Sequence, residues 1–209
     1  MRRLGVLLVC GVAVLLTGQA NGRRQVYLDL GPVANQKLKE SYGSEGNNLA
    51  ALPTGMQTFA GVKFKIGDGL IQLSGNQTQG KPDKVEGIKV GTTCSKLYFL
   101  HATHWAARED AIIGYYTVHY EDKSRETVPI VYGRDIADWW FTGDSAEPTR
   151  ARVAWKGDND DARNSNARVR LYLTTWKNPE PARRVVSIDF GSTNADQAAP
   201  FCVAITAEE

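Results

Sequence analysis

The sequence predicts an all-β fold, a single sandwich or barrel. Three observations carry this expectation. Apolar and polar residues alternate along most of the chain, the period-2 pattern of strands buried on one face. Clusters of turn-forming residues separate these runs at short intervals. No amphipathic helical pattern stands between the runs, as a parallel α/β architecture would require.

The N-terminus comes first. Met1-Arg2-Arg3 precedes an uncharged run over residues 4–16, then Thr17-Gly18-Gln19-Ala20. A basic start, a short apolar stretch and small residues before a cut define a secretory signal peptide over residues 1–20. The run is shorter than the roughly 20 apolar residues a spanning helix needs. Cys10 lies in mid-run after Val9, which does not fit a lipoprotein signal. The expected location is secreted or periplasmic, in the cell envelope, with residues 21–209 as one domain and no transmembrane segment in the mature chain.

Residues 31–55 are polar and aperiodic; they are expected to wrap the sandwich, with a helical turn near 37–41. Val62, Phe64 and Ile66 alternate with Lys63 and Lys65 and read as a strand. Leu97-Tyr98-Phe99-Leu100 is nearly continuous and reads as a buried central strand. Residues 113–120 form one long two-faced strand. Val128-Pro129-Ile130-Val131 is expected at a sheet edge, because proline cannot donate to a ladder. The one helical candidate covers residues 134–140. Trp155 is assigned to the core beside Val153. Val169, Leu171 and Leu173 form an inward face, as do Val186, Ile188 and Phe190. Val203 and Ile205 close the fold.

Charge adds little about partners. The chain carries 25 Lys+Arg against 23 Asp+Glu, net +2, with a pI of about 8.4. Arg2 and Arg3 belong to the export signal, so the mature chain balances 23 basic against 23 acidic residues. A nucleic-acid binder needs a basic patch, so no nucleic-acid partner is expected.

Several segments carry a family likeness: Leu52-Pro53-Thr54-Gly55-Met56-Gln57-Thr58-Phe59, Gly69-Leu70-Ile71-Gln72-Leu73, Leu97-Tyr98-Phe99-Leu100-His101-Ala102-Thr103, Ile130-Val131-Tyr132-Gly133-Arg134-Asp135 and Val186-Ser187-Ile188-Asp189-Phe190. Together they resemble a β-sandwich module of secreted planctomycete-type bacterial proteins, similar to the galactose-binding-domain-like jelly rolls shared by many carbohydrate-binding modules. The resemblance spans most of residues 25–207. It implies a jelly-roll sandwich that binds sugars through end loops, in some relatives with a structural calcium. It supplies no residue-level sugar motif, and fold alone does not assign function.

The residues themselves suggest where chemistry would sit. Trp105 and Trp176 end strands, and Trp139-Trp140 stand beside Asp135 and Asp138 at a loop edge. Aromatic walls with a few polar groups suit a sugar pocket; the plainer reading is a plug for the sandwich end. His104, next to Trp105, is the histidine expected to meet solvent or ligand, whereas His101 and His119 read as structural. Ligand contact is therefore assigned to Trp105, Trp139, Trp140, Trp176 and His104. Asp158-Asn159-Asp160-Asp161 is either a solvated acidic turn or an oxygen-rich calcium loop built on Asp158, Asp160 and Asp161. Cys94 and Cys202 either form a disulfide, which an oxidising compartment permits, or remain separate buried thiols.

Two further functions are compatible with these residues. One is a structural or protein-interaction domain of the envelope without a small ligand, which needs an exposed apolar patch. The other is a hydrolase using Ser145 of Gly143-Asp144-Ser145 with His104 and an aspartate, or a carboxylate pair. The leading expectation is a non-catalytic module for carbohydrate or cell-surface glycan.

Overall fold

The computed structural model describes residues 23–194 and 196–209. The predicted signal peptide at 1–20, with Cys10, lies outside them. Among the described residues no helix is long and apolar enough to cross a membrane.

The chain forms β1 (Gln25–Tyr27), β2 (Gln36–Lys37), β3 (Gly55–Phe59), β4 (Val62–Ile66), β5 (Gly69–Gln72), β6 (Lys84–Thr93) and β7 (Lys96–His104). There follow β8 (Ile112–Tyr120), β9 (Arg125–Val131), β10 (Trp140–Phe141), β11 (Arg152–Gly157), the single-turn helix α1 (Asp160–Asn164), β12 (Arg168–Lys177), β13 (Arg184–Ser192) and β14 (Ala199–Glu208). The larger sheet has eight strands along the path β10-β12-β7-β14-β5-β2, with β1 on β14 and β11 on β12. The smaller sheet is ordered β6-β13-β8-β9, and β3-β4 form a separate hairpin. The strand pairings are antiparallel.

The two sheets close on one another through stacked rings. Phe99 of β7 lies 3.9 Å from Tyr116 of β8, centroid to centroid, and Tyr116 lies 4.7 Å from Phe190 of β13. β7 and β14 are buried along nearly their whole length, because the larger sheet is covered on its outer face too. There the hairpin presents Val62, Phe64 and Ile66 while Lys63 and Lys65 stay exposed. Thr206 of β14 donates to the Lys63 carbonyl at 2.8 Å. The aperiodic N-terminal segment adds Leu38, Leu49 and Leu52 to the same core.

The alternation-based strands are present, and β9 with Pro129 is an edge strand as expected. Four local expectations are corrected. Residues 134–140 are not helical: Gly133 adopts φ +75°, and the Asp135 carboxylate accepts from Val131 N at 2.9 Å, which makes a tight turn before extended chain. Residues 37–41 make one hydrogen-bonded turn, Glu40 N donating to Lys37 O at 3.2 Å, and no helix; a 3-10 turn occupies Gly31–Val33. Val186 is exposed and Val185 is buried, because a bulge shifts β13 between Val185 and Ser187. Trp155 is only half-buried, on a bulged strand beside β12, with its ring laid over Gly157, where a Cβ would stand 2.2 Å from it.

Cys94 and Cys202, the cysteines among the described residues, are free and buried, so the disulfide between them is set aside. Ser95 N donates to Glu208 O, which places Cys94 at one end of β14. Cys202 lies six residues back along that strand, roughly 20 Å at ~3.3 Å per residue. Burial pushes the Cys94 thiol up to about 11 and that of Cys202 up to about 12. Thiol titration of urea-unfolded protein spanning residues 21–209 is expected to find both thiols, with none reactive before unfolding. A thiol-free unfolded chain would show that they had paired.

Candidate functional site

The site grows from the point where β7 ends. β7 and β12 pair from Lys96 to His101 and then diverge. The extended segment around Trp139 fills the gap. Trp139 N donates to Thr103 O at 3.0 Å, and Arg170 N donates to Trp139 O at 2.7 Å. This ladder sets Trp139 and Trp140 beside His104 and Trp105.

The four residues differ in exposure. Trp139 is buried, 2% exposed, and His104 is 6% exposed. The His104 ring packs on Tyr42, Trp139 and Phe201 at 4.3, 4.9 and 5.1 Å. Trp140 is half-buried, its indole N–H held by Asn47 Oδ1 at 3.1 Å. Trp105 is 50% exposed. Its φ of +64° is a left-handed conformation that bulky side chains rarely adopt. Such strain costs on the order of 1–3 kcal/mol and clusters at binding sites.

A loop over residues 41–48 roofs this end. Asn47 holds it: its Nδ2 donates to Tyr42 O at 3.0 Å, and its Oδ1 accepts from Asn159 Nδ2 at 3.2 Å. Asn159 in turn caps α1, accepting from Ala162 N at 2.7 Å. Ser44 donates to the Asp161 carboxylate. The acidic tetrad is therefore the start of a short helix that anchors the loop. Asp158 pairs with Arg168 at 2.8 Å, and Asp160 pairs with Arg163. The three carboxylates serve three different partners. Among the described residues no group of three or more His, Cys, Asp or Glu is placed to hold a metal ion.

Two adjoining hollows open around Trp105. The first, 270 Å³, is lined by Tyr42, His104, Trp105, Trp139 and Trp140, with Asn47, Ser44, Asp138 and Asp161 as its polar groups. The second, 370 Å³, shares Tyr42, Gly43, Asn47, His104 and Trp105 and adds side-chain amides from Gln36, Gln72, Gln77 and Gln79. Gln77 and Gln79 come from a turn closed between Gly75 and Thr78. Gly75 is required there, since a Cβ would stand 2.5 Å from Ala198 O.

Among the described residues four buried side-chain polar atoms have no hydrogen-bond partner: Tyr42 Oη, Gln72 Oε1, His104 Nε2 and Arg170 Nε. The first three belong to residues that line these hollows. Buried polar groups are otherwise almost always paired, so their convergence at one place is informative. Burial drives the electrostatics as well. It pushes the His104 imidazole down to about 3, so the ring is neutral. It pushes Asp138 up to about 6, against the opposing pull of Arg170. It raises the Tyr42 hydroxyl, helped by Glu40. The cleft floor thus offers neutral donors and acceptors at pH 7, with carboxylates at its margin.

Of the sequence-derived site residues, Trp105, Trp139, Trp140, His104 and Asp161 meet at this cleft. Trp176 does not. It pairs with Leu97 at the opposite end of β7, roughly 25 Å along the strand from Trp105 at ~3.3 Å per residue. His104 is also not the solvent-facing histidine expected; it is a floor residue. Tyr42, Asn47 and Gln72 are cleft residues that no period or motif marks. The one sequence signal is Tyr42, an isolated aromatic in a polar, glycine-punctuated segment.

Ser145 is engaged elsewhere, accepting from Thr142 N at 2.9 Å in its own turn. It shares no hydrogen bond with His104, whose Nε2 is unpartnered. His101 is structural: Nδ1 meets Tyr116 Oη at 3.1 Å and Nε2 meets Thr174 Oγ1 at 2.9 Å. His119 is held by Asp189 at 2.8 Å.

Fold and site together define a β-sandwich with an aromatic and amide-lined cleft at the end of its central strand. Compared with known proteins, the chain matches no family model, no curated sequence and no solved structure.

Proposed function

We propose that the protein is a secreted, non-catalytic binding module and that carbohydrate is its ligand, held in the cleft around Trp105. The observation that carries this reading is that the exposed Trp105 lines one hollow together with Tyr42, His104 and Gln72, each of which holds a buried polar atom without a partner. A pyranose ring has an apolar C–H face for the indole and hydroxyls that donate and accept for the floor. A largely apolar pocket with a few placed polar groups is the usual form of a small-ligand site. The envelope-scaffold alternative has less support. Among the described residues, the large exposed apolar side chains apart from Trp105 are Met56, Ile112 and Val186, on three different strands.

Glycan-array and polysaccharide pull-down assays with the mature protein test the reading. Trp105→Ala is expected to weaken binding by about tenfold or more, as loss of an aromatic anchor does, with an unchanged unfolding midpoint. Failure of the folded protein to bind any glycan overturns it.

A further inference from the structure

The two hollows adjoin at a shared wall. Tyr42, Gly43, Asn47, His104 and Trp105 line both. Ligand pockets usually enclose about 300–1,000 Å³. The aromatic hollow, at 270 Å³, falls short of that by itself, and a second hollow of 370 Å³ adjoins it at Trp105. Each part has its own unmet polar demand. His104 and Tyr42, whose Nε2 and Oη are buried without a partner, line both, and Gln72, with its unpartnered Oε1, lines the second alone.

Gln72 also says what kind of group would meet it. The residue is fully buried. Its Nε2 donates to Leu73 O at 2.8 Å and to Ala199 O at 3.2 Å. Turning the amide over would set oxygen against two carbonyls, so the orientation is fixed. The atom left over is an acceptor, and what satisfies it is a proton donor, a ligand N–H or O–H or a water. A sulfate or carboxylate oxygen brings no proton. Anions are disfavoured further by Asp138 and Asp161 in the first hollow and Glu40 in the second. The one cation of the second hollow, Lys81, is already held by Asn35 O at 3.1 Å and by Gln36 Oε1.

We infer that the ligand is a neutral oligosaccharide of at least two sugar units that straddles Trp105, one unit in the aromatic hollow and the next among the glutamine amides. This rests on the carbohydrate reading above and adds length and charge to it. Gln77 and Gln79 are exposed, so their removal alters the second hollow without touching the core.

The experiment is titration calorimetry of the mature protein with glucose, xylose, mannose and N-acetylglucosamine and with their β-1,4-linked di- and tetrasaccharides. Tetragalacturonate serves as the anionic arm. In the series that binds, affinity is expected to rise about tenfold or more from one unit to two. The double variant Gln77→Ala/Gln79→Ala is expected to abolish that gain while keeping the single-unit affinity, and Trp105→Ala to weaken every length. Equal affinity for one unit and four overturns the inference, as does a gain that survives the double variant, or tighter binding of tetragalacturonate. In those cases carbohydrate binding itself still stands. If no saccharide binds the folded protein, both readings fall.

Discussion

Trp139→Ala is expected to destabilise the protein by about 3–5 kcal/mol, the usual cost of truncating a buried large aromatic. The ring is 2% exposed and meets three others edge-on: Tyr42 at 5.6 Å, His104 at 4.9 Å and Phe201 at 5.8 Å. Its backbone ties β7 to β12 through Thr103 and Arg170, and alanine keeps those bonds, so the loss reports the side chain. With a urea m-value of about 2 kcal/mol/M for a chain of this size, the midpoint should fall by about 2 M. Trp105→Ala, in the same cleft, should change stability by about 0.5 kcal/mol or less. The two tryptophans therefore separate the two sequence-level readings of the aromatic cluster. Trp139 is the plug and Trp105 is the platform. Equal loss of stability in both variants would refute that division.

The strands were legible because burial on one face leaves a period in the sequence. Val62, Phe64 and Ile66 against Lys63 and Lys65 is the plainest case. Period alone does not see a bulge, which adds one residue and moves every later side chain to the other face. The alternation therefore points Val186 inward, whereas Val185 is the buried residue. The failed helix at residues 134–140 has a different cause. Asp135 spends its carboxylate on Val131 N and Arg150, at 2.9 and 2.7 Å, and Trp139 is drawn into the gap between two strands. The site was half legible. Tryptophans at strand ends beside polar loops do mark it, but Trp176 carries the same signal and lies at the wrong end. β12 runs antiparallel to β7, so its last residues stand beside the first of β7. Which end a residue occupies is a fact of pairing, not of local pattern. Tyr42 and Gln72 reach His104 and Trp105 only through the tertiary fold.

Acid should destabilise this protein through a few shifted side chains, and the share of one of them, His104, is separable. His101 and His104 are both pushed by burial from 6.5 to about 3. Between those values the unfolded chain takes up a proton at each ring and the folded chain does not. Stability therefore rises with pH across this window and is lost as pH falls, at up to about 1.4 kcal/mol per pH unit for each ring. Asp138 acts in the opposite sense. Burial raises it from 3.8 to about 6, so between those values the folded chain holds a proton that the unfolded chain has released. It offsets one histidine there. Glu208, held down to about 2 by Lys96, Tyr98 and Arg23 against the cost of burial, adds further loss of stability below 4.5. The net expectation is a decline beginning near pH 6.5, shallower below about 6 and steeper again below about 4. His101 satisfies two hydrogen bonds, so replacing it would confound the measurement. His104 has an unpartnered Nε2, so His104→Leu removes its titration while breaking no side-chain hydrogen bond. Urea midpoints between pH 7 and pH 4 should fall less steeply for His104→Leu than for the wild type. The two curves should diverge by up to about 1.4 kcal/mol per pH unit. Parallel curves would mean that the imidazole is already charged or solvated in the folded state. The neutral floor assigned to the cleft would then be wrong, and with it the chemistry that favours an uncharged ligand.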